Sequence, residues 1–220
     1  MKNVAIRLAC VTWMGVAALG VPASAVEPIS PPAGEWNFRA LLDGKPIGQH
    51  RFSLSAQGDE RRLVSDASFA VKFLGLTAYR YRHKVTEQWR GDCLAALNAT
   101  TDDDGKPSSV RADRQGDALR VTGPAGVERL PGCVFSFAYW NPSLQKQTQL
   151  LNSQTGKFES VQVSRLGDGL LDVRGKSVPA VHWRITGPEA PIDIWYSPEG
   201  DWLGLDSIVA GGRKLSYRLD

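Results

Sequence analysis

The chain has three histidines, His50, His83 and His182, and they fall in strand-like alternation rather than at metal-ligand spacing. His50 alternates with Phe52 and Leu54, and His83 with Tyr81 and Val85, which turns both rings to the covered face of a sheet. His182 lies opposite Val181 and Trp183 and is expected at the surface. Pairing the strands through turns at 57–59 and 74–75 sets His50 near the same row as His83, two strands away. Two strand spacings are about 10 Å, whereas ligands of one zinc ion lie far closer. His83 and Glu87 share a face, but four residues along a strand span about 13 Å, too far for an acid–base dyad. The two histidines therefore read either as satisfied interior groups or as polar anchors inside a pocket.

Other chemistries find less support. The acidic run Asp102-Asp103-Asp104-Gly105 carries Arg111 where a calcium loop needs a bidentate glutamate, so it reads as a solvated turn. GxSxG, P-loop, GxGxxG, HExxH and CxxC patterns do not occur. These spacings assign no catalytic residue, cofactor or metal ligand. Asn98-Ala99-Thr100 spells a glycosylation sequon, and Arg90-Gly91-Asp92 spells an adhesion tripeptide that hairpin chemistry already explains.

The elements that position these residues are strands. Trp36, Phe38, Ala40 and Leu42 alternate before the turn Asp43-Gly44, and Leu63 to Phe73 keeps period two. Tyr79, Tyr81, His83, Val85, Glu87 and Trp89 face one way, against Arg80, Arg82 and Lys84. Roughly eleven or twelve strands joined by short turns predict an all-β fold, an antiparallel up-and-down meander. Short connections forbid parallel neighbours, and so many strands must curl, split or close. A strongly curved sheet, half-barrel or barrel follows.

One stretch, 133–156, breaks the pattern as a central aromatic insert. Asn141-Pro142 is a helix start, and Leu144, Thr148 and Leu151 share a helical face, which predicts one short helix at about 142–152. Tyr139 and Trp140 beside that start form either a binding lip at the rim or a plug of packing residues.

Residues 1–25 read as a cleaved signal peptide, with Lys2 and Arg7, an apolar run and Ala23-Ser24-Ala25. Residues 26–34 are a Pro-rich, flexible lead-in, and 35–220 make one β-rich domain. Of 26 basic residues, Lys2 and Arg7 leave with the leader, and 24 then balance 23 acidic ones. A chain so neutral offers no field for nucleic acid. No later apolar run reaches the length of a membrane span, so an integral membrane protein is not expected. Cys93 and Cys133, in an exported chain, are expected to form one disulfide, the alternative being two buried thiols.

The motifs IGQHRF, FAYWNP, LLNSQTG and DIWYSPEGDWLGL resemble a family of exported bacterial proteins classed as a domain of unknown function. The resemblance implies a β-rich envelope protein and carries no catalytic residues with it. In outline the fold is also similar to curved-sheet periplasmic carriers of lipids or lipoproteins. Three functions are consistent with this reading. The leading one is a non-enzymatic periplasmic or secreted protein holding an apolar, lipid-like molecule against His50, Tyr79, Tyr81, His83, Tyr139 and Trp140. The others are a structural module for an envelope protein partner, and a hydrolase-type enzyme using His50 or His83 with a carboxylate from another strand.

Overall fold

The computed structural model describes residues 33–220 apart from Gly75, so the leader and most of the lead-in lie outside the described residues. Fifteen strands follow one another. The first eight are β1 (Gly34–Leu42), β2 (Lys45–Gln57), β3 (Glu60–Phe73), β4 (Leu76–Arg90), β5 (Cys93–Asp103), β6 (Lys106–Gln115), β7 (Ala118–Gly123) and β8 (Gly126–Pro131). A central segment then carries β9 (Gln149–Leu151) and β10 (Phe158–Ser160). The remainder are β11 (Gln162–Val173), β12 (Lys176–Thr186), β13 (Ile192–Tyr196), β14 (Trp202–Val209) and β15 (Arg213–Leu219).

Local chemistry sets the hairpins. Asp43 and Asp104 adopt φ of 51°, each followed by a glycine at positive φ, Gly44 at 78° and Gly105 at 83°. Two-residue loops of this handedness match the twist of paired strands, and Asp-Gly tolerates them at low cost. Long-range pairing then joins the halves. Thirteen strands form one antiparallel sheet in the order β11-β12-β13-β14-β15-β1-β2-β3-β4-β5-β6-β7-β8. Its centre is the pairing of first and last strands, from Phe38 opposite Leu219 to Leu42 opposite Leu215. The sheet is open, with β8 and β11 as its two edges.

Inward side chains from both halves join the central segment in one hydrophobic core. The sheet is therefore wrapped around residues 133–161. That segment is tied at its start by the Cys93–Cys133 disulfide, 40 residues apart in sequence. Beside the bridge, Leu94 N–H donates to the Val134 carbonyl. Phe135 and Trp140 pack edge-to-face on Trp89, at centroid distances of 4.9 and 5.6 Å. The Arg61 guanidinium covers the other side of Trp140, 5.2 Å from the ring. Trp140 is only 2% exposed.

The expected helix at 142–152 is not present. A single 3-10 turn spans Pro142–Lys146, Gln147 is extended, and β9 follows. Asn141 does cap this turn, its side chain accepting from Ser143 N–H. Periodicity misleads here because the segment lies inside the sheet and meets core on several sides. Leu144, Leu150 and Leu151 are all fully buried, which one helical face would not allow. Extended geometry also lets Leu151 N–H donate to the Phe135 carbonyl and Val161 N–H to the Thr148 carbonyl.

Two expectations follow for denaturation measurements. Trp140→Ala should lose about 3–5 kcal/mol, whereas Trp140→Phe should lose much less, because the buried indole N–H has no partner. Replacing Cys93 and Cys133 together by serine should lose about 4 kcal/mol through the freed 40-residue loop. A chain indifferent to both changes would not be organised around this segment.

Candidate functional site

The register of four strands builds the inner wall. His50 on β2 pairs with Ala67 on β3, Ala67 with His83 on β4, and His83 with Thr101 on β5. The two histidines thus share one row, and the small Ala67 between them leaves room in front of both. One row towards the Asp-Gly turns come Gly48, Phe69 and Tyr81; two rows the other way stand Leu54, Leu63 and Glu87.

Each ring is held by hydroxyls. His50 Nε2 lies 2.7 Å from Ser65 Oγ, and Nδ1 lies 3.3 Å from Tyr217 Oη, which the β1–β15 pairing brings across. His83 Nδ1 is 2.9 Å from Thr101 Oγ1, and Nε2 is 3.2 Å from Ser153 Oγ. Ser153 sits in a turn shaped by Asn152, whose side-chain oxygen accepts from Gln154 and Thr155 N–H. Glu87 receives hydrogen bonds from Trp89 Nε1 at 2.9 Å and Ser136 Oγ at 2.8 Å.

Burial removes charge from this wall. It lowers His50 to about 3, with His83 nearby adding to the effect, and lowers His83 to about 4. It raises Glu87 to about 7, against the pull of the Ser136 and Trp89 hydrogen bonds. At neutral pH the wall thus holds two neutral imidazoles and a carboxyl whose ionisation burial opposes.

In front of the wall is a cavity of about 250 Å³, closed by Phe137, Tyr139 and Ser153 and faced by Leu205, Leu215 and Tyr217. It adjoins an apolar groove of about 540 Å³ lined by Leu42, Ile47, Phe69, Val71, Tyr79 and Tyr81. Val209, Leu215, Tyr217 and Gln154 belong to both. The groove opens at the end of the sheet that carries the turns at 43–44 and 210–212, joined by the Arg213–Asp43 ion pair at 2.7 Å. The opposite end is filled by Trp89, Phe135 and Trp140. The interior is therefore a blind cleft with an apolar mouth and a polar floor.

Of the residues singled out in the sequence, His50, His83 and Tyr139 line the inner cavity, and Tyr79 and Tyr81 line the groove. Tyr81 stacks on Phe69 at 5.4 Å, and the Tyr79 hydroxyl donates to Asp103 at 2.7 Å. Trp140 lies in the core and borders neither space. His182 occupies the outer face, half-buried, stacked on Trp195 at 4.0 Å and 2.8 Å from Asp193. Sequence reasoning did not single out Ser153 and Tyr217, although Ser153 falls in the motif LLNSQTG.

The arrangement is poorly suited to nucleophilic catalysis. His83 faces Ser153, but Thr101 rather than a carboxylate orients it, and its depressed basicity weakens it as a proton acceptor. The backbone N–H groups beside Ser153 are already committed to Asn152. What the site offers is a set of neutral hydrogen-bonding groups at the end of an apolar channel.

The fold and cleft define an all-β protein, one open antiparallel sheet of thirteen strands with an internal cleft. Residues 38–220 match the family described as Domain of unknown function (DUF6134), and the chain belongs to it. No curated protein matches. A solved structure, the beta-barrel-like protein of domain of unknown function DUF1849 from Brucella abortus, is similar with a TM-score of 0.62. It shares 11% identity, and the match covers 86% of this chain and 96% of that one, so the likeness is one of fold.

Glu87 supplies a pH test. A carboxyl that titrates near 7 when folded and near 4.5 when unfolded holds its proton more tightly in the folded state. Its contribution is complete below pH 4.5 and is lost as pH rises through about 7. The histidines oppose this, since their lowered values make folding more favourable as pH rises to 6.5. Comparing Glu87→Gln with the parent isolates the carboxyl. The balance should shift towards the variant by about 3 kcal/mol between pH 4.5 and pH 8 in urea titrations. A difference independent of pH would contradict the burial assigned to Glu87.

Proposed function

We propose that this is an exported, non-enzymatic binding protein of the bacterial envelope whose cleft holds an uncharged or weakly polar amphiphile. The observation that carries the reading is the order of surfaces along the cleft. An apolar groove leads to a cavity whose two imidazoles are neutral at physiological pH. A hydrocarbon tail gains from the groove walls, while a hydroxyl or ester head exchanges its water for His50, His83 and Ser153. An anionic head would meet no compensating charge on the floor and would lose its hydration. The disulfide supports an oxidising compartment, as does the leader expected from the sequence. A second reading, docking of an envelope protein, draws on the two unpaired edge strands, where β11 exposes Leu166 and Leu170.

Native mass spectrometry of protein purified from its own host should show a bound species with the mass of a lipid or acyl compound. Val71→Trp, at the half-buried wall of the groove, should remove that species without lowering the thermal midpoint. Apo protein alone, from several growth conditions, would contradict the proposal. So would a bound species that Val71→Trp leaves in place.

A further inference from the structure

We propose that the β3–β4 hairpin is a membrane-docking finger that sets the mouth of the cleft against a lipid bilayer; this rests on the amphiphile-binding reading. The hairpin outruns its neighbours. β2 pairs with β3 only as far as Gly48 opposite Phe69, and β5 pairs with β4 only as far as Asp103 opposite Tyr81. Ala70 pairs with Arg80, whose carbonyl still accepts from Asp104 N–H, and beyond it Val71 to Phe73 pair solely with Leu76 to Tyr79. Three residues on one arm and four on the other, with one bulge, make a two-stranded ribbon that runs about 10 Å past these contacts.

The tip is chemically out of place in water. Leu74 is 86% exposed and Leu76 is 75% exposed. Leu74 also adopts φ of 50°, a left-handed conformation that asparagine, aspartate or glycine adopt more readily than leucine. Neither the conformation nor the exposure is offset by packing within the described residues. A hydrocarbon environment would offset the exposure.

Three features favour a bilayer over a protein as that environment. The patch is a narrow tip rather than a face, and stable protein interfaces need about 800 Å² from each partner. Basic residues stand behind it at suitable depth. Lys72, two residues from Leu74, is set back by about 7 Å, which matches the headgroup layer. Arg80 and Arg82 follow along the outer face, exposed and without ion pairs among the described residues. The carboxylates of Asp103 and Asp104 lie at the base of the ribbon, accepting from the Tyr79 hydroxyl and the Arg80 N–H, whereas the tip itself carries no acidic residue. Finally, the ribbon's own Val71 and Tyr79 line the groove. Inserting the tip therefore brings the mouth to the membrane, and an acyl chain can pass between lipid and groove with little exposure to water.

The test is flotation of the full purified protein with vesicles of phosphatidylethanolamine and phosphatidylglycerol, 3:1. The parent should float with the vesicles. Leu74→Asn combined with Leu76→Asp should reduce the partition at least about tenfold, as expected for losing two buried leucines. Because both positions are exposed, the thermal midpoint should not change, and asparagine suits the backbone of Leu74. Failure of the parent to float, or equal flotation of the variant, would overturn the proposal. Self-association that the double variant abolishes, without vesicle binding, would also overturn it and make the tip a contact between copies. Native mass spectra of the same samples keep the two readings apart. Tip-dependent flotation of a protein carrying no lipid would support docking while contradicting the cleft reading. A lipid-loaded parent that does not float would do the reverse.

Discussion

The pairing of β1 with β15 is the interaction on which the rest depends. It joins a meander built from residues 34–131 to one built from residues 162–219 and makes them a single sheet. A sheet of thirteen strands cannot stay flat and open in water, because twist accumulates and one face must be covered. Curling creates a concave face, and the chain covers it with its own middle. The cover is anchored at one end, through Cys133, Trp140 and the Asp92 carboxylate. Burial works against ionisation of that carboxylate, but Arg61, Ser143 and Asn141 hold it below the usual range. The other end stays uncovered, and that asymmetry is what makes a cleft.

The polar floor is a costly thing to build. Buried imidazoles, hydroxyls and a carboxyl lose their water, and each must find a partner to offset that loss. Here the partners come from elements far apart in sequence: Tyr217 from the last strand, Ser153 from the interior turn, Ser136 from the start of the central segment. Filling the same space with leucine and valine would cost less. A neutral hydrogen-bonding surface at the end of an apolar groove is therefore read as a recognition feature. It also explains why the histidines are neutral: nothing nearby offers them a stabilising negative charge, and burial dominates.

Much of the fold was legible in the chain because hairpin strands obey local rules. Period-two alternation and Asp-Gly turns fix which way each side chain points and where neighbours pair. That is why His50 could be set near the row of His83 from sequence, and the register puts the two in the same row. The central segment was less legible. Leu144, Thr148 and Leu151 carry a helical period, but the segment lies inside the sheet, where apolar side chains pack in several directions. Ser153 and Tyr217 were missed for a related reason. Their roles depend on β1 meeting β15 and on an interior turn, neither of which leaves a local pattern.

The central claim is that the space between the His50–His83 row and the β14–β15 wall is occupied by an amphiphile in the native protein. A high-resolution crystal structure of protein purified from its own host tests this most directly. The account predicts continuous elongated density running from between Val71 and Tyr79, past Tyr81 and Tyr217, to within hydrogen-bonding distance of His83 or Ser153. Separate, well-ordered waters filling the cavity, with the groove open to bulk solvent, would contradict it.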